Sequence, residues 1–178
     1  MKRKAFTLIE LLVVVAIIGL LSTVAAVAFN GSQVNARNTQ RKANLVQIAK
    51  ALEVYYADNG GYPPIPNGGL GGWYGNCTTY GGYPDTGAGA WIPNLSPTYI
   101  ASLPHDVLTG KPNPSSSFVQ CQTLPNGVCY LYSSNGVDYK IFARCLPEGG
   151  AVSASDPFYD PLGRTYVYAI FTPGAKSW

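Results

Sequence analysis

The residues able to do chemistry in this sequence are few: one carboxylate, Glu10, set in an apolar run, and four cysteines, Cys77, Cys121, Cys129 and Cys145. The cysteines do not form the paired CxxC knuckles of a zinc site, and the single histidine, His105, has no obvious metal-binding companion. An even number of cysteines, all beyond the apolar run, fits two disulfides formed in an oxidising compartment; buried free thiols are the alternative. Four cysteines allow three pairings, and spacing does not choose among them. Serine–histidine–aspartate chemistry would need His105, and no GxSxG context surrounds any serine. No catalytic constellation emerges, and the reading is of a protein that is not an enzyme.

The element that carries Glu10 runs from Phe6 to Phe29, with the Ser22-Thr23 pair as the other polar interruption. As a helix rising about 1.5 Å per residue it would cover roughly 36 Å, enough to cross a hydrocarbon layer about 30 Å thick. Lys2, Arg3 and Lys4 precede it and predict a cytoplasmic N-terminus, with the rest of the chain outside. A secretory signal cut near Ala25-Ala26-Val27-Ala28 and a plain signal anchor both compete with this reading. Neither explains an acidic group inside the span, which costs about 2.5–3.5 kcal/mol at the bilayer centre and so points to a partner.

The stretch Lys2-Arg3-Lys4-Ala5-Phe6-Thr7-Leu8-Ile9-Glu10-Leu11-Leu12-Val13-Val14 resembles the class III signal of type IV pilins and type II secretion pseudopilins. The resemblance implies cleavage by a membrane prepilin peptidase between Ala5 and Phe6, then N-methylation of the new Phe6 amine. Ala5 stands where the family usually has glycine; both are small. The resemblance also assigns Glu10 to filament assembly, pairing with the Phe6 amine of a neighbouring subunit and setting the axial stagger. No cofactor is read from the residues. Related subunits, the peptidase, an inner-membrane assembly platform and, before assembly, membrane lipid are the partners that it implies. The expected location is a single-pass cytoplasmic membrane protein that passes into an extracytoplasmic filament.

Beyond Phe29 the pattern becomes amphipathic. Leu45, Ile48, Ala49, Leu52, Tyr55 and Tyr56 share one helical face, and Asp58-Asn59-Gly60-Gly61 followed by Pro63-Pro64 ends the helix. One long helix from about Phe6 to Asp58 is expected, with Gly19 and Asn30-Gly31 as places where it could bend. The chain then divides into a cleaved leader (1–5), a membrane or filament-core helix (6–29), an amphipathic half-helix (30–59) and a head (60–178). The expected fold is α+β and pilin-like, with the second half of the helix laid on a small antiparallel sheet.

The head opens with turn chemistry, including Gly68-Gly69, Gly71-Gly72 and Gly81-Gly82. Ser96-Pro97 reads as the capped start of a short helix ended by Pro104. Leu95-Ser96-Pro97-Thr98-Tyr99-Ile100-Ala101-Ser102-Leu103-Pro104-His105-Asp106 is similar to a stretch of the αβ-loop of many bacterial pilins and major pseudopilins. Cys129 to Ser134 and Val137 to Ala143 read as a hairpin about Asn135-Gly136, which places Tyr132 opposite Tyr139 and Tyr130 opposite Ile141. Arg164 to Phe171 reads as a third strand.

Asp156 and Asp160 lie in a proline-rich turn, Ser155 to Pro161. Because major pseudopilins commonly bind calcium, the resemblance makes these two the calcium candidates, although the family's acidic loop is not matched residue by residue. Charged residues make up 12% of the 178 residues, and the net charge is +3. Without Lys2, Arg3 and Lys4 the basic and acidic residues balance, which argues against a nucleic-acid footprint. Arg37, Arg41, Lys42 and Lys50 form a basic strip, read as a solvated helix face or subunit contacts rather than a DNA site. The alternative to a filament subunit is a membrane-anchored minor pilin or adhesin, binding glycan, a surface or DNA through Trp73, Tyr74, Trp91 and Trp178.

Overall fold

The computed structural model describes residues 7–65, 72–124 and 127–178, with the backbone alone over 24–28. By internal packing the chain forms two units, Met1–Arg37 and Asn38–Trp178. The first is a stretch of helix α1 (Leu8–Asn59), and the second holds the remainder of α1 and the head. Helical geometry continues through Gly19 and through Asn30-Gly31. The glycine pair Gly68-Gly69 and Gly71 lie outside the described residues.

The end of α1 has a physical cause. Gly60 takes a positive φ of 73° and its N–H donates to the Tyr56 carbonyl at 2.8 Å, an αL cap that only glycine adopts without strain. Gly61 then passes so near the Gly136 carbonyl oxygen that a Cβ would sit 2.9 Å from it. The next amide, that of Tyr62, donates to the same oxygen at 2.8 Å. The helix therefore ends docked on the tip of the hairpin.

The sheet has four antiparallel strands in the order β1 (Tyr74–Gly75), β2 (Cys129–Ser134), β3 (Tyr139–Arg144) and β4 (Val167–Phe171). A short helix, α2 (Val119–Thr123), carries Cys121. Alternation along the strands sends Tyr130, Tyr132, Ile141 and Ala143 to one face, where they join Leu45, Ile48 and Leu52 of α1 and Trp91, Ile92 and Leu95 of the loop. Each of those helix side chains, fully buried, stabilises the head by about 1.5–3 kcal/mol. The opposite face gathers Cys77, Cys129, Leu131, Phe142, Val167 and Ala169 in a smaller cluster. Of the stripe expected on α1, Ala49 and Tyr55 are partly buried against the core, whereas Tyr56 is exposed and Ala51 is buried in its place.

Two local expectations are corrected. The hairpin has a four-residue turn, so Tyr132 faces Ile141, Tyr130 faces Ala143 and Ser134 faces Tyr139. Asn135 Oδ1 accepts from the amides of Val137 (2.9 Å) and Asp138 (2.8 Å), which wraps the turn around its side chain. Asp138 Oδ1 in turn accepts from the Thr172 hydroxyl and the Gly174 amide, which holds this residue out of the ladder. The register moves by two, and the faces are unchanged. At Ser96-Pro97 no helix forms: the amides of Tyr99 and Ile100 both reach the Leu95 carbonyl, and the Ser96 hydroxyl donates to the Ala101 carbonyl instead of capping. The third strand is present as β4, and β1 and α2 were not expected.

Candidate processing and assembly site

Glu10 sits in the first turn of α1 and is engaged locally. The Thr7 N–H and the Thr7 hydroxyl both donate to Glu10 Oε2 at 2.8 Å, and the Glu10 N–H donates back to Thr7 Oγ1 at 3.3 Å. The Thr7 carbonyl accepts the first intrahelical bond, from Leu11 N–H at 3.3 Å. This is a reciprocal capping box, with threonine at the N-cap and glutamate three residues on. It satisfies amides that the first turn otherwise leaves without partners. The expected cleavage site, Ala5 and Phe6, lies outside the described residues.

Behind the box, Leu8, Ile9, Leu11, Leu12, Leu20 and Leu21 are exposed within their unit. Among the described residues no helix is long and apolar enough to cross a membrane. The expected span also includes Phe6 and positions 24–28, which lie wholly or in their side chains outside the described residues.

The other candidates resolve individually. The cysteines form two bridges, Cys77–Cys129 and Cys121–Cys145, which interleave along the chain. Asp156 meets the Lys42 ammonium at 2.5 Å, and that ammonium also lies over the rings of Tyr168 (4.7 Å) and Phe158 (5.6 Å). Asp160 is fully buried between Lys140 and Arg164. The two calcium candidates thus each face cationic side chains. Among the described residues no group of three His, Cys, Asp or Glu side chains is placed to hold a metal ion.

The basic strip is divided by the fold. Arg41 is fully buried, with Nε 2.7 Å from Asp106 Oδ2, Nη2 3.0 Å from Asp106 Oδ1 and Nη1 2.6 Å from Glu148 Oε1. Asp106 closes the αβ-loop stretch singled out in the sequence, and its partner on α1 was missed. A signal existed: Arg41 lies one turn before Leu45 on the buried stripe, where a charge requires a counter-charge. His105 pairs with Asp85 at 2.8 Å, while Asp85 Oδ1 accepts from Asn76 Nδ2 and Trp91 Nε1. Of the aromatics named for ligand binding, Trp91 and Tyr74 are buried and Trp73 stacks on Phe142 at 4.6 Å.

A tyrosine cluster at the foot of α1 centres on Glu53, whose carboxylate accepts from the Tyr62 hydroxyl at 3.0 Å. Burial, reinforced by Glu53, pushes the Tyr62 hydroxyl up to about 12. Burial likewise raises Tyr130, Tyr132 and Tyr139. For Lys140 burial dominates and lowers the ammonium below its ordinary value, with Asp160 opposing the shift.

Residues 1–26 match the family described as the prokaryotic N-terminal methylation motif. The chain carries a prepilin-type signal. The Thr7–Glu10 box therefore lies inside this signal, of which the structure describes residues 7–26. The chain is also similar to type II secretion system core protein G of Escherichia coli, 33% identical over 67 residues, which is 38% of this chain and 46% of that protein. The protein of the same name from Pseudomonas aeruginosa is 36% identical over 67 residues, covering 38% of this chain and 47% of the relative. That from Klebsiella pneumoniae is 31% identical over the same length. The chain spans about half the length of the curated relatives it matches. No solved structure gives a significant match. The α+β, pilin-like architecture read from the sequence agrees with the long helix and four-stranded sheet.

Proposed function

We propose that this chain is a structural subunit of a type II secretion pseudopilus or a related filament, anchored in the membrane by its N-terminal helix before assembly. The observation that carries the reading is the methylation motif over residues 1–26, with its threonine and glutamate joined in a box at the head of α1. Similarity to type II secretion system core protein G favours a secretion filament over the adhesin alternative.

In this reading a prepilin peptidase cuts between Ala5 and Phe6 on the cytoplasmic side and the Phe6 amine is methylated. The basic leader leaves with Lys2, Arg3 and Lys4, and one α-amine is created beside the helix start. That amine, when protonated, carries a single positive charge. Pairing it with the Glu10 carboxylate of a neighbour cancels two charges that are costly to bury apart. Both Thr7 donors converge on Oε2. We assign Oε1 to the incoming amine, so that capping and subunit pairing use different oxygens of one carboxylate. Related subunits, the peptidase and an assembly platform are the partners of this scheme.

N-terminal mass spectrometry of the protein from its native membrane tests the reading. A chain that begins at Phe6 and carries one added methyl group is the expected result. An intact Met1, or a cut near Ala28, overturns it.

A further inference from the structure

Lys140 stands on the outer face of β3, yet its side chain has no exposure. Its ammonium lies 2.7 Å from Asp160 Oδ1 and donates to the main-chain oxygens of Trp178 at 2.9 Å and Lys176 at 3.4 Å. The rings of Phe142 and Phe171 close on it at 5.2 and 5.1 Å. Asp160 is equally buried; its Oδ2 accepts from Arg164 Nε, while Oδ1 has no aligned hydrogen bond and meets the ammonium as an ion pair. Arg164 also donates to the Trp178 oxygen. Three oxygens from two separate segments therefore converge on one lysine nitrogen.

Such a convergence is what a hard cation requires. Calcium takes six to eight oxygens at about 2.3–2.6 Å, in sites rich in carboxylate. The oxygen set here includes one carboxylate, its centre holds an ammonium, and a guanidinium touches the same carboxylate. A divalent ion placed there would meet the Lys140 ammonium and the Arg164 guanidinium, both already on the Asp160 carboxylate. The residues present do not fit calcium, although the family resemblance raised Asp160 as a candidate.

We propose that Lys140 is a built-in cation: its ammonium supplies the positive charge around which Asp160 and the main-chain oxygens of Lys176 and Trp178 are gathered, so the head closes its C-terminal segment without calcium. The side chain is covalently part of β3, so the closure does not vary with the surrounding calcium concentration. The inference goes beyond the filament reading and does not depend on it.

Thermal unfolding of the full chain in detergent micelles tests it, with calcium chloride at about 1 mM, near the affinity of extracellular calcium modules, or with excess EGTA. The expected midpoint is the same in both, and titration calorimetry with calcium chloride shows no saturable binding. Lys140→Met, which keeps the length and removes the charge, lowers the midpoint by at least about 5 °C in either condition. A midpoint of the unmodified protein that rises several degrees with calcium overturns the proposal, as does a Lys140→Met variant as stable as the parent. If that variant fails to fold, the calcium and EGTA comparison on the unmodified chain decides alone.

Discussion

Arg41 grips Asp106 through two parallel hydrogen bonds, at 2.7 and 3.0 Å, and so fastens the second half of α1 to the end of the αβ-loop. Both residues are buried, and Glu148 takes a third guanidinium nitrogen. Asp106→Ala leaves a buried guanidinium short of its main counter-charge and is expected to cost about 3–5 kcal/mol. Replacing Arg41 by Met together with Asp106 by Leu and Glu148 by Gln is expected to cost far less, because neither the guanidinium nor either carboxylate is then stranded. Urea unfolding of the full chain in detergent measures both. Equal losses in the two variants would show that shape, not charge compensation, sets the cost.

The Thr7–Glu10 box separates two duties that one glutamate performs. Glutamine also serves at the third position of a capping box. Glu10→Gln is therefore expected to keep helix α1 and membrane insertion while filament assembly is lost. Thr7→Ala removes the cap, weakening the helix start by about 0.5–2 kcal/mol, but leaves the charge in place and filaments still form at reduced yield. Quantifying sheared filaments against membrane-inserted subunit distinguishes the two variants. Normal filament levels from Glu10→Gln would remove the carboxylate from the assembly scheme.

The bridges close loops with sequence separations of 52 and 24 residues. On the chain-entropy account these stabilise the head by roughly 4 and roughly 3.5 kcal/mol respectively. Reduction under native buffer, or the double replacements Cys77→Ser with Cys129→Ser and Cys121→Ser with Cys145→Ser, is expected to destabilise in that order. Unfolding midpoints of the two double variants check the ranking.

Alkaline pH is expected to weaken the head through its tyrosines. The Tyr62 hydroxyl is raised from about 10 to about 12 because it is buried and faces Glu53. Between those values the folded chain keeps a proton that the unfolded chain releases, so the stabilisation is complete below about pH 10 and disappears as the pH approaches about 12. Tyr130, Tyr132 and Tyr139 shift in the same direction. Tyrosinate absorbance followed with unfolding should show these groups ionising late and together with loss of structure. Titration of all the tyrosines near pH 10 in a head that stays folded would contradict this.

What the sequence made legible was local. The Leu45–Ile48–Leu52 stripe and the alternation of Tyr130 and Tyr132 each follow from one element's own period, and the structure retains both. What it hid depends on distant partners. Asp138 leaves the hairpin ladder because Thr172 and Gly174 hold it, residues more than thirty positions away. Ser96 spends its hydroxyl on Ala101 instead of a helix cap. Lys140 sits at an ordinary strand position, and nothing near it in the sequence announces the oxygens of residues 176–178.

The interleaving of the two bridges also has a mechanical consequence. Cys77 is tied to Cys129 and Cys121 to Cys145, so the covalent path from Cys77 to Cys145 runs through the short stretch between Cys121 and Cys129. About 60 residues of contour are thereby withheld from any tension along the chain, on the order of 200 Å at about 3.4 Å per residue. A head pulled from its two ends can unravel its flanks, but its centre remains a short, cross-linked knot that limits how far the molecule can lengthen.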